Sequence, residues 1–293
     1  MSILISELIN NSNLQLDSYN IINEKTFDFF SRISNDVVGK KCIFVLDTKY
    51  LQKVDESVAM IITKEEIYNE ATKTNDVGFC ITDNPRGLFF ELLSQYEKER
   101  IIKNKKTVIG KNCKISKNAV ISDYNVVIGD NVFIDDFVVI KENVVIGNNV
   151  SIQAGTKIGC PDFNIYNYRN QTKQLEHNGT VIIGNNVLIN CNCYIGQALY
   201  SNGTTVIKDN VMIGANVLIG HNCQVNENSE ICGGVQFGGW VELGKDCFVG
   251  MKVCVKNAIT IGDNAYIGVG SVVIRNVRDN TKVFGNPAKR IDF

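Results

Sequence analysis

From Ile109 to Val273 the apolar positions return every six residues. Ile128-Gly-Asp-Asn-Val-Phe, Ile134-Asp-Asp-Phe-Val-Val, Ile140-Lys-Glu-Asn-Val-Val and Ile146-Gly-Asn-Asn-Val-Ser follow one another without a gap. The pattern resumes at Ile183-Gly-Asn-Asn-Val-Leu, and from Ile207 to Val273 it runs for twelve hexads in register. A repeat with an aliphatic first place and a small apolar fifth place predicts a parallel β-helix. Each hexad supplies a short strand and a turn, and three hexads close one triangular coil. Positions 18 apart in a gap-free run then stack at the strand spacing of ~4.8 Å. Asn131, Asn143, Asn149, Asn186, Asn210, Asn216 and Asn222 occupy the fourth place. Asparagine tolerates the left-handed backbone that a tight turn needs there.

Two segments break the pattern, Cys160–Thr180 and Ala198–Thr205. The first carries Phe163, Tyr166, Tyr168, Arg169 and His177, a composition suited to a ligand or a neighbouring subunit, as long excursions from a scaffold often are. Residues 1–104 show no hexad. Their β-prone runs at 41–46, 58–63 and 77–82, each followed by a helix-compatible stretch, read as a small α/β domain. Asn84-Pro85 opens a helix with an N-cap and a proline at its first position, and Leu88, Phe89, Leu92, Leu93 and Tyr96 line one face. The expected division is therefore an α/β domain over 1–104, a β-helix over 105–278 and a tail over 279–293 that runs off after the last coil.

Composition narrows the function. With 30 basic and 31 acidic residues in 293, no global field draws in nucleic acid or an anionic membrane. The start of the chain has no basic stretch before an apolar core, and no run is long enough to span a bilayer, so a cytoplasmic protein without membrane insertion is expected. Ten cysteines include no CxxC pair. Cys113, Cys193, Cys223 and Cys247 take the fifth place of their hexads and read as reduced packing residues. The two histidines, His177 and His221, are too few for the three-histidine zinc site that some β-helices hold, so no metal is expected.

His221 stands at the third place of Ile219-Gly-His-Asn-Cys-Gln, and 18 residues on lies Gly239. The stacking rule puts this glycine one coil away. An imidazole beside a glycine amide offers a general base and an oxyanion donor. A surface imidazole on a turn is the plainer alternative.

These residues resemble the hexapeptide-repeat acyltransferases, and within them the UDP-3-O-acylglucosamine N-acyltransferases and their sugar-modifying relatives. Ile219-Gly-His-Asn-Cys-Gln-Val225 with Ile231-Cys-Gly-Gly-Val-Gln-Phe-Gly-Gly239 is similar to the catalytic stretch of that family. The resemblance implies a mainly β, left-handed β-helix and a homotrimer with active sites between subunits. It gives His221 the role of general base and Gly239 that of oxyanion donor. Phe44-Val-Leu-Asp-Thr-Lys-Tyr50 is similar to the stretch in which two aromatics sandwich a uracil ring, with Asp47 where the family has Asn. Phe44, Asp47, Tyr50, His177 and Asn222 are thus expected to bind substrate. Lys256, Arg275, Lys289 and Arg290 are the expected cationic contacts of an acyl-CoA.

Where the chain departs from the family, the expectation shifts. The C-terminal carrier-protein helices are replaced by Gly285-Asn-Pro-Ala-Lys-Arg290, an ending that looks like the acetyl-CoA-using branch, and the family's second histidine falls on Ala258. The expected reaction is transfer of a short acyl group, acetyl above all, to the amine of a UDP- or dTDP-linked amino sugar for surface glycans such as lipopolysaccharide O-antigen. Lipid A synthesis with acyl carrier protein is the alternative, and a non-catalytic scaffold the second.

Overall fold

The computed structural model describes residues 2–11, 16–33, 38–71, 76–99 and 105–291. The chain forms two compact units, one of residues 1–102 with 163–176 and the other of 103–162 with 177–293. This differs from the contiguous division expected above. The middle of the first interruption belongs to the N-terminal unit, and the junction residues 100–104 lie outside the described residues.

In the N-terminal unit, α1 (Ile5–Asn10) precedes a five-stranded sheet of β1 (Tyr19–Ile22), β2 (Phe29–Phe30), β3 (Lys41–Phe44), β4 (Val58–Thr63) and β5 (Gly78–Thr82). The spatial order is β1-β5-β4-β3-β2, with only β1 antiparallel to its neighbour. Every residue of β4 is buried, as the unbroken apolar run Val58–Ile62 requires of a central parallel strand. Two helices, α2 (Glu65–Ala71) and α3 (Pro85–Glu99), complete the unit. The Asn84 side chain accepts the Gly87 N–H at 3.0 Å, so the expected N-cap forms. Leu88, Phe89, Leu92, Leu93 and Tyr96 are all buried.

The aromatic-rich excursion is a hairpin of Ile165–Tyr168 against Gln171–Gln174. The Tyr166 hydroxyl donates to Glu91 at 3.0 Å, Lys173 pairs with the same carboxylate, and the Tyr168 hydroxyl accepts the Asp17 N–H at 2.8 Å. Burial and the Glu91 charge push the Tyr166 phenol well up. For Tyr166 and Tyr168 the expected ligand or subunit contact gives way to contacts within the N-terminal unit, where both are buried, whereas Phe163 is exposed.

The second unit is a left-handed parallel β-helix whose three faces are sheets of ten, eight and eight strands. The 18-residue stacking holds: Ile219 pairs with Phe237, Phe237 with Val255 and Val255 with Val273. First-place residues fill the interior, with Ile207, Ile213, Ile219, Val225, Phe237 and Leu243 fully buried. Cys193, Cys223 and Cys247 are buried among them as free thiols, and burial pushes Cys223 up to about 12. The tail does not run off. Lys282–Phe284 adds a parallel strand beside Tyr266–Ile267, and Lys289–Arg290 pairs back on it antiparallel. Val283 is buried by this continuation, which covers an edge that would otherwise be open. Among the described residues no helix is long and apolar enough to cross a membrane.

The seven fourth-place asparagines named above all adopt φ between 56° and 61°. Along one corner of the prism four of them also join side chain to side chain. Asn131 donates to Asn149, Asn149 to Asn186 and Asn186 to Asn210, each at 3.1 Å, and Asn210 to Asn228 and Asn228 to Asp246 at 3.0 Å. The third place of this corner carries a second column. The N–H of Asp130 goes to Asn148 at 2.8 Å, that of Asn148 to Asn185 at 2.9 Å, and that of Asn185 to Asp209 at 2.7 Å. We call this the asparagine corner.

Candidate functional site

His221 lies on a different corner, in the turn after the strand Leu218–Ile219. It is only 9 % exposed. The Asn222 amide oxygen sits 3.1 Å from Nδ1 and also accepts the Leu199 N–H at 2.9 Å. A backbone N–H can only donate, so this atom is an acceptor, and Nδ1 must carry the imidazole proton. Nε2 is then the basic nitrogen. A second buried imidazole, His177, stands 5.4 Å away, nearly edge-on. Its Nδ1 lies 2.8 Å from the Gln197 carbonyl, which fixes the same tautomer. Burial holds the His177 pKa below its ordinary value, opposed by the Gln197 hydrogen bond and assisted by the neighbouring His221.

Gly239 explains the turn on the next coil. A Cβ built there would lie 2.3 Å from His221 Nε2, so a glycine is required by close approach of the ring. The Trp240 N–H donates to the His221 carbonyl at 2.9 Å and the Ala258 N–H to the Gly239 carbonyl at 2.9 Å. The Gly239 N–H itself makes no hydrogen bond among the described residues. The basic nitrogen and an available amide donor therefore meet at one place, as the 18-residue count predicts.

Three groups at this site escape sequence reasoning. Asp162 Oδ2 accepts the His221 backbone N–H at 3.1 Å, although 59 residues separate them. Trp240 sets its ring 6.1 Å from His221 at 89°. Gln197 carries the carbonyl that orients His177 and sends its own amide to the Gly179 carbonyl at 2.9 Å. Trp240 falls 18 positions beyond Asn222, so the stacking rule could have found it. Asp162 and Gln197 lie at or within the interruptions, where the count fails. Asn222 is placed differently from the substrate contact expected of it: it is 4 % exposed and its oxygen is occupied by Leu199 and His221.

The other expected contacts are more dispersed. In the N-terminal unit the Phe44 ring is half-buried against Phe89 and Phe90, at 4.9 and 5.8 Å. Tyr50 is exposed, with Lys49 Nζ 5.0 Å above its ring. Asp47 caps the 3-10 helix Thr48–Lys53 by accepting the Lys49 N–H at 3.0 Å. The Lys49 ammonium at 2.6 Å and that N–H hold its carboxyl below the usual range. In the β-helix Lys256 and Arg275 are exposed, as are Lys289 and Arg290 on the last strand. Arg275 takes the third place 18 residues beyond Asn257, which stands 18 beyond Gly239, so it belongs to the His221 corner.

Two family models match parts of the chain. Residues 125–160 and 204–239 match the bacterial transferase hexapeptide (six repeats), and residues 241–275 match the hexapeptide repeat of succinyl-transferase. The matched residues all lie in the β-helix unit. The chain's fold is shared with a UDP-N-acetylglucosamine acyltransferase from Campylobacter jejuni, at a TM-score of 0.57 and 23 % identity over 64 % of this chain and 70 % of that one. A UDP-N-acetylglucosamine acyltransferase from Arabidopsis matches over the same shares, at a TM-score of 0.50 and 21 % identity. These hexapeptide-repeat matches include both His221 and Gly239 within residues 204–239.

Proposed function

We propose that the chain is an acyltransferase acting on a nucleotide-linked sugar, with His221 as general base. The observation that carries this reading is the basic Nε2 lying against Gly239, whose amide makes no hydrogen bond among the described residues. A thioester accepting a nucleophile needs both groups. The base removes the proton of the attacking amine as the C–N bond forms, while the amide receives the negative charge that grows on the carbonyl oxygen. Collapse breaks the C–S bond, and the imidazolium returns its proton to the thiolate. No acyl-enzyme is required. The fold shared with proteins described as UDP-N-acetylglucosamine acyltransferases supports the substrate class.

The finer reading is a short acyl group carried by CoA, acetyl above all, and the amine of a UDP- or dTDP-linked amino sugar as acceptor. Its support is the resemblance of Gly285-Asn-Pro-Ala-Lys-Arg290 to the acetyl-CoA-using branch, with Lys256 and Arg275 as further cations for the donor's phosphates. Phe44 and Tyr50 are the proposed stacking partners of the base, with Asp47 nearby, and His177 the proposed partner of a sugar hydroxyl. A homotrimer with sites between subunits, and a place in lipopolysaccharide synthesis, belong to the same proposal.

Thiol release from acetyl-CoA, measured against a panel of UDP- and dTDP-linked amino sugars with His221→Ala as control, tests it. Release that needs one sugar and His221 is the expected result. Transfer only from acyl carrier protein would replace the donor, and equal turnover by His221→Ala would overturn the mechanism. Phe44→Ala and Tyr50→Ala should raise KM for the sugar and leave that for CoA unchanged.

A further inference from the structure

At the asparagine corner six third-place N–H groups are received by the Asp or Asn side chain standing at the third place of the next coil, and the series breaks only at Asp209 and Glu227. The rungs Lys111 to Asp130, Lys245 to Asp263 and Asp263 to Asp279, at 2.7, 2.8 and 3.0 Å, repeat the device. The corresponding residue above His221 is Gly239, which has no side chain to offer. The imidazole occupies that space, so no such rung forms at His221. The acceptor arrives instead from outside the repeat, as Asp162 Oδ2 at 3.1 Å.

We infer that Asp162 is a positioning residue for His221: its carboxylate replaces the missing rung and supplies the negative charge beside the imidazolium that forms during proton transfer. The inference rests on the acyl-transfer reading for its kinetic consequence but not for its structural one. The remaining titratable neighbours support it. Burial pushes the Cys223, Cys160 and Tyr194 groups up, so they stay neutral. His177 is held low by burial, and Asp162 acts on it in the opposite sense. A buried imidazole pair with one carboxylate at its edge can accept one proton more readily than the pair alone.

Asp162→Ala removes acceptor and charge, whereas Asp162→Asn keeps an acceptor oxygen and removes only the charge. In the acyl-transfer assay, Asp162→Ala should lower kcat by on the order of tenfold or more, with the sugar KM within about twofold of wild type. The acidic limb of its pH profile should move to lower pH. Asp162→Asn should recover most of kcat but keep the displaced limb, a split that a purely structural role would not produce. Because the chain has two histidines, 13C-histidine NMR can follow both imidazoles with no substrate present. Both variants should lower their titration midpoints, and Asp162→Ala should also shift the His221 amide proton. Unchanged midpoints in both variants, or an unchanged kcat in Asp162→Ala, would overturn the inference. If wild type transfers acyl groups to no sugar, the functional reading fails, and the NMR titration still decides the role of Asp162.

Discussion

The asparagine corner and the His221 corner are built from the same six-residue unit, yet they solve opposite problems. At the first, third-place and fourth-place side chains repeat the same hydrogen bonds over most coils, with rungs of 2.7–3.3 Å. At the second, the third place holds His221 and then Gly239, and the fourth place holds Asn222 and then Trp240. None of these continues a ladder. Asn222 turns its oxygen to its neighbouring imidazole and to Leu199. Trp240 accepts φ 65°, a backbone that a bulky residue rarely takes. Regularity stabilises the prism, and the interruption of regularity makes room for a buried imidazole.

The largest test of this contrast is His221→Ala, which should lower kcat by on the order of 10²–10⁴ and leave the melting temperature unchanged. Next comes a pair of glycines. Gly239→Ala directs a methyl into Nε2 and should cost on the order of 10² in kcat, with little loss of stability, because the atom it meets ends a side chain that can swing away. Gly147→Ala meets the Gly184 backbone at 2.6 Å. It should cost about 1–3 kcal/mol of stability and leave turnover per folded molecule unchanged. Denaturant melts and steady-state kinetics on the two variants separate the corners cleanly; identical profiles would break the comparison.

Asn149→Ala removes two rungs of the ladder and places alanine at φ 57°. A loss of about 1–2 kcal/mol is expected, read as a lower melting temperature without a change in kcat. The smallest effect is on pH. Burial keeps the folded pKa of His177 below the ordinary 6.5, so the unfolded chain binds that proton more readily. Stability should therefore fall as pH drops from 6.5 through the lowered folded value. His177→Gln should flatten that part of the curve, and thermal melts between pH 7.5 and 5 would detect it.

Much of this arrangement is legible in the spacing of the chain. A fixed period transmits position without error, so the count of residues puts Gly239 over His221 and leaves Asn222 at φ 59°. The capped helix at Pro85 is equally local, resting on one asparagine and one proline. What escapes the count lies where periodicity stops. Asp162 reaches His221 across 59 residues, a distance that no spacing rule spans. The aromatics of the first interruption point to a ligand by composition alone. Their contacts with Glu91 and Asp17 depend on how an irregular segment folds back on a non-repeating unit. The tail misleads for a related reason: Lys282–Phe284 continues the stack without keeping the hexad spacing.

The asparagine column also keeps its rungs where the intervening chain changes length. From Asn112 onward successive partners lie 19, 18, 37, 24, 18 and 18 residues apart, yet every rung measures 3.0–3.3 Å. The column thus counts coils rather than residues. Segments that leave from the other corners can be lengthened, exchanged or removed without slipping the register of the coils that follow. A spine of this kind lets one edge of the molecule stay fixed while the opposite edges acquire new loops.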